Sequence, residues 1–124
     1  MTRHVIAKEG MPSLLPDTWL DKGSLWMDPN GVWVTHSFDW ERPPIGRATD
    51  LQRNEETGEV TVDIQLFDGE EIDKNLFECS FWATELEERR VEATKEQPAY
   101  RLILKARVRG IAIVGIAANP MRSQ

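Results

Sequence analysis

The sequence predicts a mainly β fold, a β-rich α+β domain whose antiparallel sheet curls into a partly closed barrel of about six to seven strands with one short helix near 70–77. Two alternating runs and a set of turn clusters carry that expectation. Val60, Val62, Ile64 and Leu66 alternate with Thr61, Asp63 and Gln65, the period of two that a half-buried strand shows. Leu102, Leu104, Ala106 and Val108 alternate in the same way with Arg101, Ile103, Lys105, Arg107 and Arg109. Asp28-Pro-Asn-Gly31, Pro43-Pro44 and Asn54-Glu-Glu-Thr-Gly58 punctuate the apolar runs, and each combines residues that fix or relax φ as a tight turn requires.

With 124 residues and 14.2 kDa, the chain has enough material for one core and one domain. Residues 1–22 carry Pro12 and Pro16 without a sustained period, so they form an extended N-terminal arm with a short turn around Asp17 to Leu20. Such an arm packs on its own domain or reaches a neighbour. Residues 23–124 form the β-rich domain.

Within that domain the expected elements follow in order. Gly23 to Met27 and Val32 to Phe38 form a hairpin across Asp28-Pro-Asn-Gly31. Pro43 and Pro44 cannot donate to a ladder and force a turn, after which Gly46 to Arg53 and Gly58 to Asp68 make a second hairpin. Ile72, Leu76 and Phe77 share a helical face, and Glu70, Glu71 and Asp73 sit in the first turn where the helix dipole favours acids, which predicts the helix over 70–77. Cys79 to Leu86 is a strand, and the charged stretch Glu87 to Gln97 is either the exposed limb of a hairpin or a loop. Tyr100 to Arg109 and Ile111 to Ala118 are two further strands, the second stopped by Asn119-Pro120.

The net charge of -6 and pI near 4.9 repel nucleic acid and anionic membranes at long range, so neither is an expected partner. The longest apolar run, Ile111 to Ala118, falls short of the roughly 18 residues a spanning helix needs. The first residues lack the apolar core of a signal peptide, and one cysteine, Cys79, cannot form an internal disulfide; both fit a reducing cytoplasm.

His36, at the end of a strand, and Ser80 are the pair that could act as base and nucleophile if the fold brings them within hydrogen-bond reach. A lone His and a lone Ser on strands are more often structural. Cys79 lacks a flanking basic residue to lower its pKa and is a weaker nucleophile candidate. Arg101, Lys105, Arg107 and Arg109 lie on one side of a strand, either paired with acids such as Glu85 and Glu87 or offered to an acidic protein partner. Of the five Trp, Trp26, Trp33 and Trp82 read as core, whereas Trp19 and Trp40 are the candidates for partner binding. No His, Cys and acid cluster has metal-ligand spacing and no phosphate loop is present, so no metal or cofactor is expected.

The order of elements resembles a known family. A strand ending in His36, a turn into Pro44-Ile-Gly-Arg-Ala-Thr49, a hairpin with Thr57-Gly-Glu-Val60, a short helix, a strand carrying Ser80, and Arg109-Gly-Ile-Ala-Ile-Val-Gly-Ile-Ala-Ala-Asn-Pro120 are similar to the prohead (capsid maturation) proteases of tailed bacteriophages, relatives in fold of the herpesvirus assembly protease. The resemblance covers roughly 32–120 through short motifs. It implies that His36 matches the family's catalytic histidine and Ser80 its nucleophile. The chain departs where the family surrounds its serine with small residues, since Phe77-Glu-Cys-Ser-Phe-Trp82 crowds the space of an oxyanion hole. Arg109-Gly110 also replaces an acid that many members carry.

The resemblance, taken with these departures from it, implies a chain that keeps the family's scaffold as a capsid-associated structural protein of the minor capsid or decoration type. It would bind the major capsid protein as a homo-oligomer or symmetric array, in the host cytoplasm during assembly and then in the virion head. The alternative is an active prohead serine protease that uses His36 and Ser80 to cut scaffold and capsid protein.

Overall fold

A computed structural model of the chain describes residues 2–12 and 17–116. Nine strands form one mixed sheet: β1 (Thr2–Lys8), β2 (Met11–Pro12), β3 (Thr18–Leu20), β4 (Leu25–Trp26), β5 (Val32–His36), β6 (Gly46–Arg53), β7 (Glu59–Leu66), β8 (Phe77–Val91) and β9 (Tyr100–Gly115). The sheet curls into a half-barrel, so the β-rich, partly closed architecture expected from the alternating runs is present.

The long strand β9 is the spine. One edge carries β8 in an antiparallel ladder from Phe77↔Gly115 to Val91↔Tyr100. The other edge carries β3, β4 and β5, all parallel to β9. Thr18 to His36 therefore runs once along the length of β9, an interrupted strand with excursions at 21–24 and 27–31. From β5 the sheet continues through β6 and β7 to β1 by antiparallel pairing. β1 then comes within 8 Å of β8, which curls the sheet on itself.

Several expectations need correction. The Asp28-Pro-Asn-Gly31 turn forms, with Gly31 N donating to Asp28 O at 2.8 Å and Asn30 N to Asp28 Oδ1 at 2.8 Å. It does not make a hairpin, however, because β4 and β5 both find their ladder partner in β9 rather than in each other. No helix forms near 70–77: Asn75 N donates to Asp73 Oδ1, and Leu76 and Phe77 N donate to Asp73 O, which makes a single turn leading into β8. Asp73 competes there as a side-chain turn former, and the apolar Ile72 packs on the barrel core instead of starting a helical stripe. Tyr100–Gly115 is one strand where two were expected. Of the stretch Glu87 to Gln97, Glu87–Val91 is the exposed end of β8 in the β8/β9 hairpin and the rest is loop, and the proposed stop at Asn119-Pro120 lies outside the described residues.

Of the segment over residues 1–22, the described parts, 2–12 and 17–22, pack on the domain, since β1 is an integral strand and β3 docks on β9. Glu9 secures that placement. Its carboxylate is 2 % exposed and accepts from Gly23 N and Leu25 N, both at 2.9 Å, from Ser24 Oγ, and from the Arg53 guanidinium at 3.0 Å. Arg53 also donates to Leu25 O. Burial pushes the Glu9 pKa up, but the Arg53 hydrogen bond and the backbone N–H donors outweigh it and hold the carboxyl below its ordinary value.

The core lies inside the curl. Leu25, Val34, Val60, Val62, Val108 and Ile111 are fully buried there, and Ile6, Ile64, Ile103 and Ile113 extend it along the barrel. His4 of β1 is buried as well, with Nε2 2.6 Å from Thr2 Oγ1. Burial and the nearby Lys74 ammonium lower its pKa from 6.5 against the pull of Glu71. A histidine whose folded pKa is depressed contributes stability above its unfolded pKa and loses it as pH falls through the folded value. The stability of the wild-type protein should therefore begin to fall below pH 6.5, whereas His4→Gln should stay flat there until carboxylates titrate; denaturant midpoints measured against pH check this.

Candidate functional site

The ladder registers decide where His36 and Ser80 face. Across β5, β9 and β8, His36 stands opposite Ile113, and Ile113 opposite Cys79. The adjacent row is Thr35, Ala112 and Ser80. Residues in one row share a face and successive rows alternate, so His36 and Ser80 project from opposite faces of the sheet. Ser80 is 3 % exposed in a row where Thr35 and Ala112 are also buried, while His36 is exposed. The structure does not bring the pair together. The hydroxyl beside His36 is that of Ser37, 3.1 Å from Nδ1, and the Phe77 ring stands edge-on at 6.3 Å.

Cys79 shares the His36 row but lies across the intervening strand β9, about 10 Å away by strand spacing. Burial pushes its thiol up to about 12, outweighing Lys74, so it stays protonated and unreactive at neutral pH. Among the described residues no group of His, Cys and acids is placed to hold a metal ion.

The same registers build a different surface on the outer face. One row there reads Trp33, Gly110, Trp82, with Gly110 in the middle strand. The Trp40 indole lies over Gly110, where a Cβ would collide with its ring, and packs on Trp82 at 5.6 Å between centroids. Phe67 meets Trp33 edge-on at 6.2 Å. Phe67, Trp33, Trp40 and Trp82 are 60, 51, 44 and 52 % exposed, which makes a stripe of aromatic surface across three strands. A stripe of this kind suits burial against a partner.

Local sequence explains the stripe. Val34 must enter the core between β6 and β9, so Trp33, its neighbour along the strand, must point out. Trp82 points out for the same reason beside Phe81, which packs on the core. Trp40 reaches Gly110 because Ser37 and Phe38 both adopt left-handed φ, 53° and 60°, and turn the chain back over the sheet. Trp33 and Trp82 are thus exposed, not core as expected. Trp26 is half-buried under the Arg107 guanidinium at 5.2 Å. Trp40 is exposed as expected, and Trp19 is half-buried and stacked on Tyr100 at 4.8 Å.

The basic row does not stay a row. Register shifts at Trp82/Ala83, Glu85/Glu87 and Glu87/Glu88 break the alternation of β8 against β9. Arg101 is paired with Glu85 at 2.8 Å and Glu88 at 3.1 Å, and Lys105 stands opposite Glu87. Arg107 reaches Asp28 at 3.4 Å, and Arg109 donates to Thr84 Oγ1 at 2.9 Å.

Among the described residues no helix is long and apolar enough to cross a membrane. Comparison with known protein families, curated proteins and solved structures gives no match.

Proposed function

We propose that the protein is a non-catalytic, capsid-associated structural component that binds another protein through its outer aromatic stripe. The observation that carries this reading is the row Trp33, Gly110, Trp82 capped by Trp40, three indoles each about half exposed on one face. Large rigid aromatics supply contact area at little entropic cost, which is why Trp is enriched among interface hot spots. The capsid as partner and the phage head as setting rest on the motif resemblance alone. The protease reading draws no support from the geometry, because Ser80 is buried and faces away from His36.

Assembled particles test both readings. Mature heads should hold the chain in stoichiometric, symmetry-related copies, and Trp33→Ala/Trp82→Ala should weaken its retention by about thirtyfold or more, the worth of one hot spot of ~2 kcal/mol. Ser80→Ala should leave capsid-protein processing unchanged on a protein gel. Presence in proheads but not in mature heads, or uncleaved capsid protein with Ser80→Ala, would overturn the proposal in favour of the protease.

A further inference from the structure

Beside the aromatic stripe lies a cleft of about 310 Å³ between the Asp28–Gly31 turn and the outer face of β5, β6 and β9. Asp28, Asn30, Val32, Trp33 and three arginines, Arg47, Arg107 and Arg109, line it. Among the described residues, Arg107 alone of the three has a carboxylate partner, Asp28 at 3.4 Å. Arg47 donates to the backbone oxygen of Asn30 and lies over the Trp33 ring at 5.5 Å, and Arg109 spends its Nε on Thr84 Oγ1. Among the described residues, neither Arg47 nor Arg109 is neutralised by an acid. The lining thus carries three positive charges against one negative, a net of +2, on a protein whose total is -6.

Arg47 ties the Asp28–Gly31 turn to β6 through its Nε and one terminal nitrogen, both on Asn30 O, and Arg109 commits its Nε to Thr84, so among the described residues neither guanidinium spends its charge on an acid. Arg47 and Arg109 are exposed side chains on β6 and β9, whereas Arg3, Arg53 and Arg101 of the same sheet are each paired with acids. Two unneutralised guanidinium groups beside an exposed indole make a site for a carboxylate that arrives next to an apolar side chain. The guanidinium fork takes the carboxylate through two N–H donors, and the indole face takes the neighbouring apolar group.

We infer that the cleft of Arg47, Arg109 and Trp33 receives an acidic side chain from a peptide segment of the partner, with an adjacent apolar residue of that segment seated on the Trp33/Trp82 stripe. The inference rests on the proposed docking role of the stripe and adds to it the chemistry of what docks: an acidic, apolar-anchored segment. Nucleic acid offers the same negative charge but must approach a surface that is anionic overall, which disfavours it.

Selection from an unbiased library of displayed twelve-residue peptides on the purified full chain tests this. Peptides enriched on the wild type should carry Asp or Glu next to a large apolar residue, at about threefold or more the acid content of the library. Their synthetic versions should bind the Arg47→Ala/Arg109→Ala variant about tenfold or more weakly, the cost of losing a charge-assisted contact, and should weaken as salt rises from ~0.05 to ~0.5 M. Trp33→Ala/Trp82→Ala should abolish selection altogether. Thermal melts of both variants confirm that they stay folded, as expected for exposed positions. Enriched peptides that are apolar without acids would overturn the arginine cleft and leave the stripe standing. No enrichment on the wild type would overturn both. Acidic peptides held equally well by the arginine variant would place the charge recognition elsewhere. An oligonucleotide of twelve thymidines bound more tightly than the peptides, with the same arginine dependence, would replace the peptide by nucleic acid.

Discussion

Glu9→Ala should cost about 3 kcal/mol of stability, read as a lowered denaturant midpoint with an unchanged slope. Removing one partner of a buried ion pair costs on the order of 3–5 kcal/mol, and the low end applies because the Arg53 side chain is 32 % exposed and can regain water. The loss is more than Coulombic. Leu25 N and Gly23 N would lose their acceptor in a place where Ser24 and Leu25 are buried. With them goes the joint that ties the end of β1 to the start of β4 and the end of β6.

Glu9→Gln isolates the charge. Because the folded-state pKa of Glu9 lies below its ordinary 4.5, its contribution is fully present above pH 4.5 and is lost as pH falls through the folded value. The wild type should therefore show an acid limb in stability that Glu9→Gln lacks. Parallel limbs in the two proteins would assign the acid sensitivity to other carboxylates.

The β character was legible in the sequence because a period of two needs no tertiary information. Val60, Val62 and Ile64 are buried on one side of β7, as their alternation requires. What the strands pair with was not legible. The Asp28-Pro-Asn-Gly31 signal describes local φ preferences, which the turn obeys, but a hairpin also needs its flanking strands to be each other's best partners. Here β9 offers sixteen residues of ladder and takes β4 and β5 in turn. The helix over 70–77 failed for a related reason, since three acids and Asn75 between 70 and 75 favour side-chain turns as much as a helical first turn.

The candidate site was legible only in its parts. His36 and Ser80 stand out by residue type, but their facing depends on the register each strand takes against β9, which lies between them. The exposure of Trp33 follows from Val34 being core, an inference the alternation allows. Arg47 carried no signal, because its meeting with Arg109 across β5 is a product of the β6–β5–β9 order alone.

Gly110→Ala should lower stability in the wild type and raise it in a Trp40→Ala background. An alanine in a strand interior normally gains about 0.5–1 kcal/mol over glycine, since it restricts the unfolded chain. At position 110 the new Cβ would enter the space of the Trp40 ring, so the indole must leave its seat on the sheet and its contact with Trp82. The displaced ring forfeits packing worth more than the backbone gain, and the net sign reverses to a loss of about 1 kcal/mol. With Trp40 already removed nothing occupies that space, and the ordinary gain returns. The double-mutant cycle should thus give a coupling of about 1.5–2 kcal/mol between two residues seventy positions apart in sequence. Partner binding should follow the ring: Gly110→Ala should weaken it nearly as much as Trp40→Ala, although residue 110 is itself buried beneath the indole and offers no side chain to a partner. A cycle that closes with no coupling would show that Trp40 does not rest on Gly110, and the stripe would then lose its middle member.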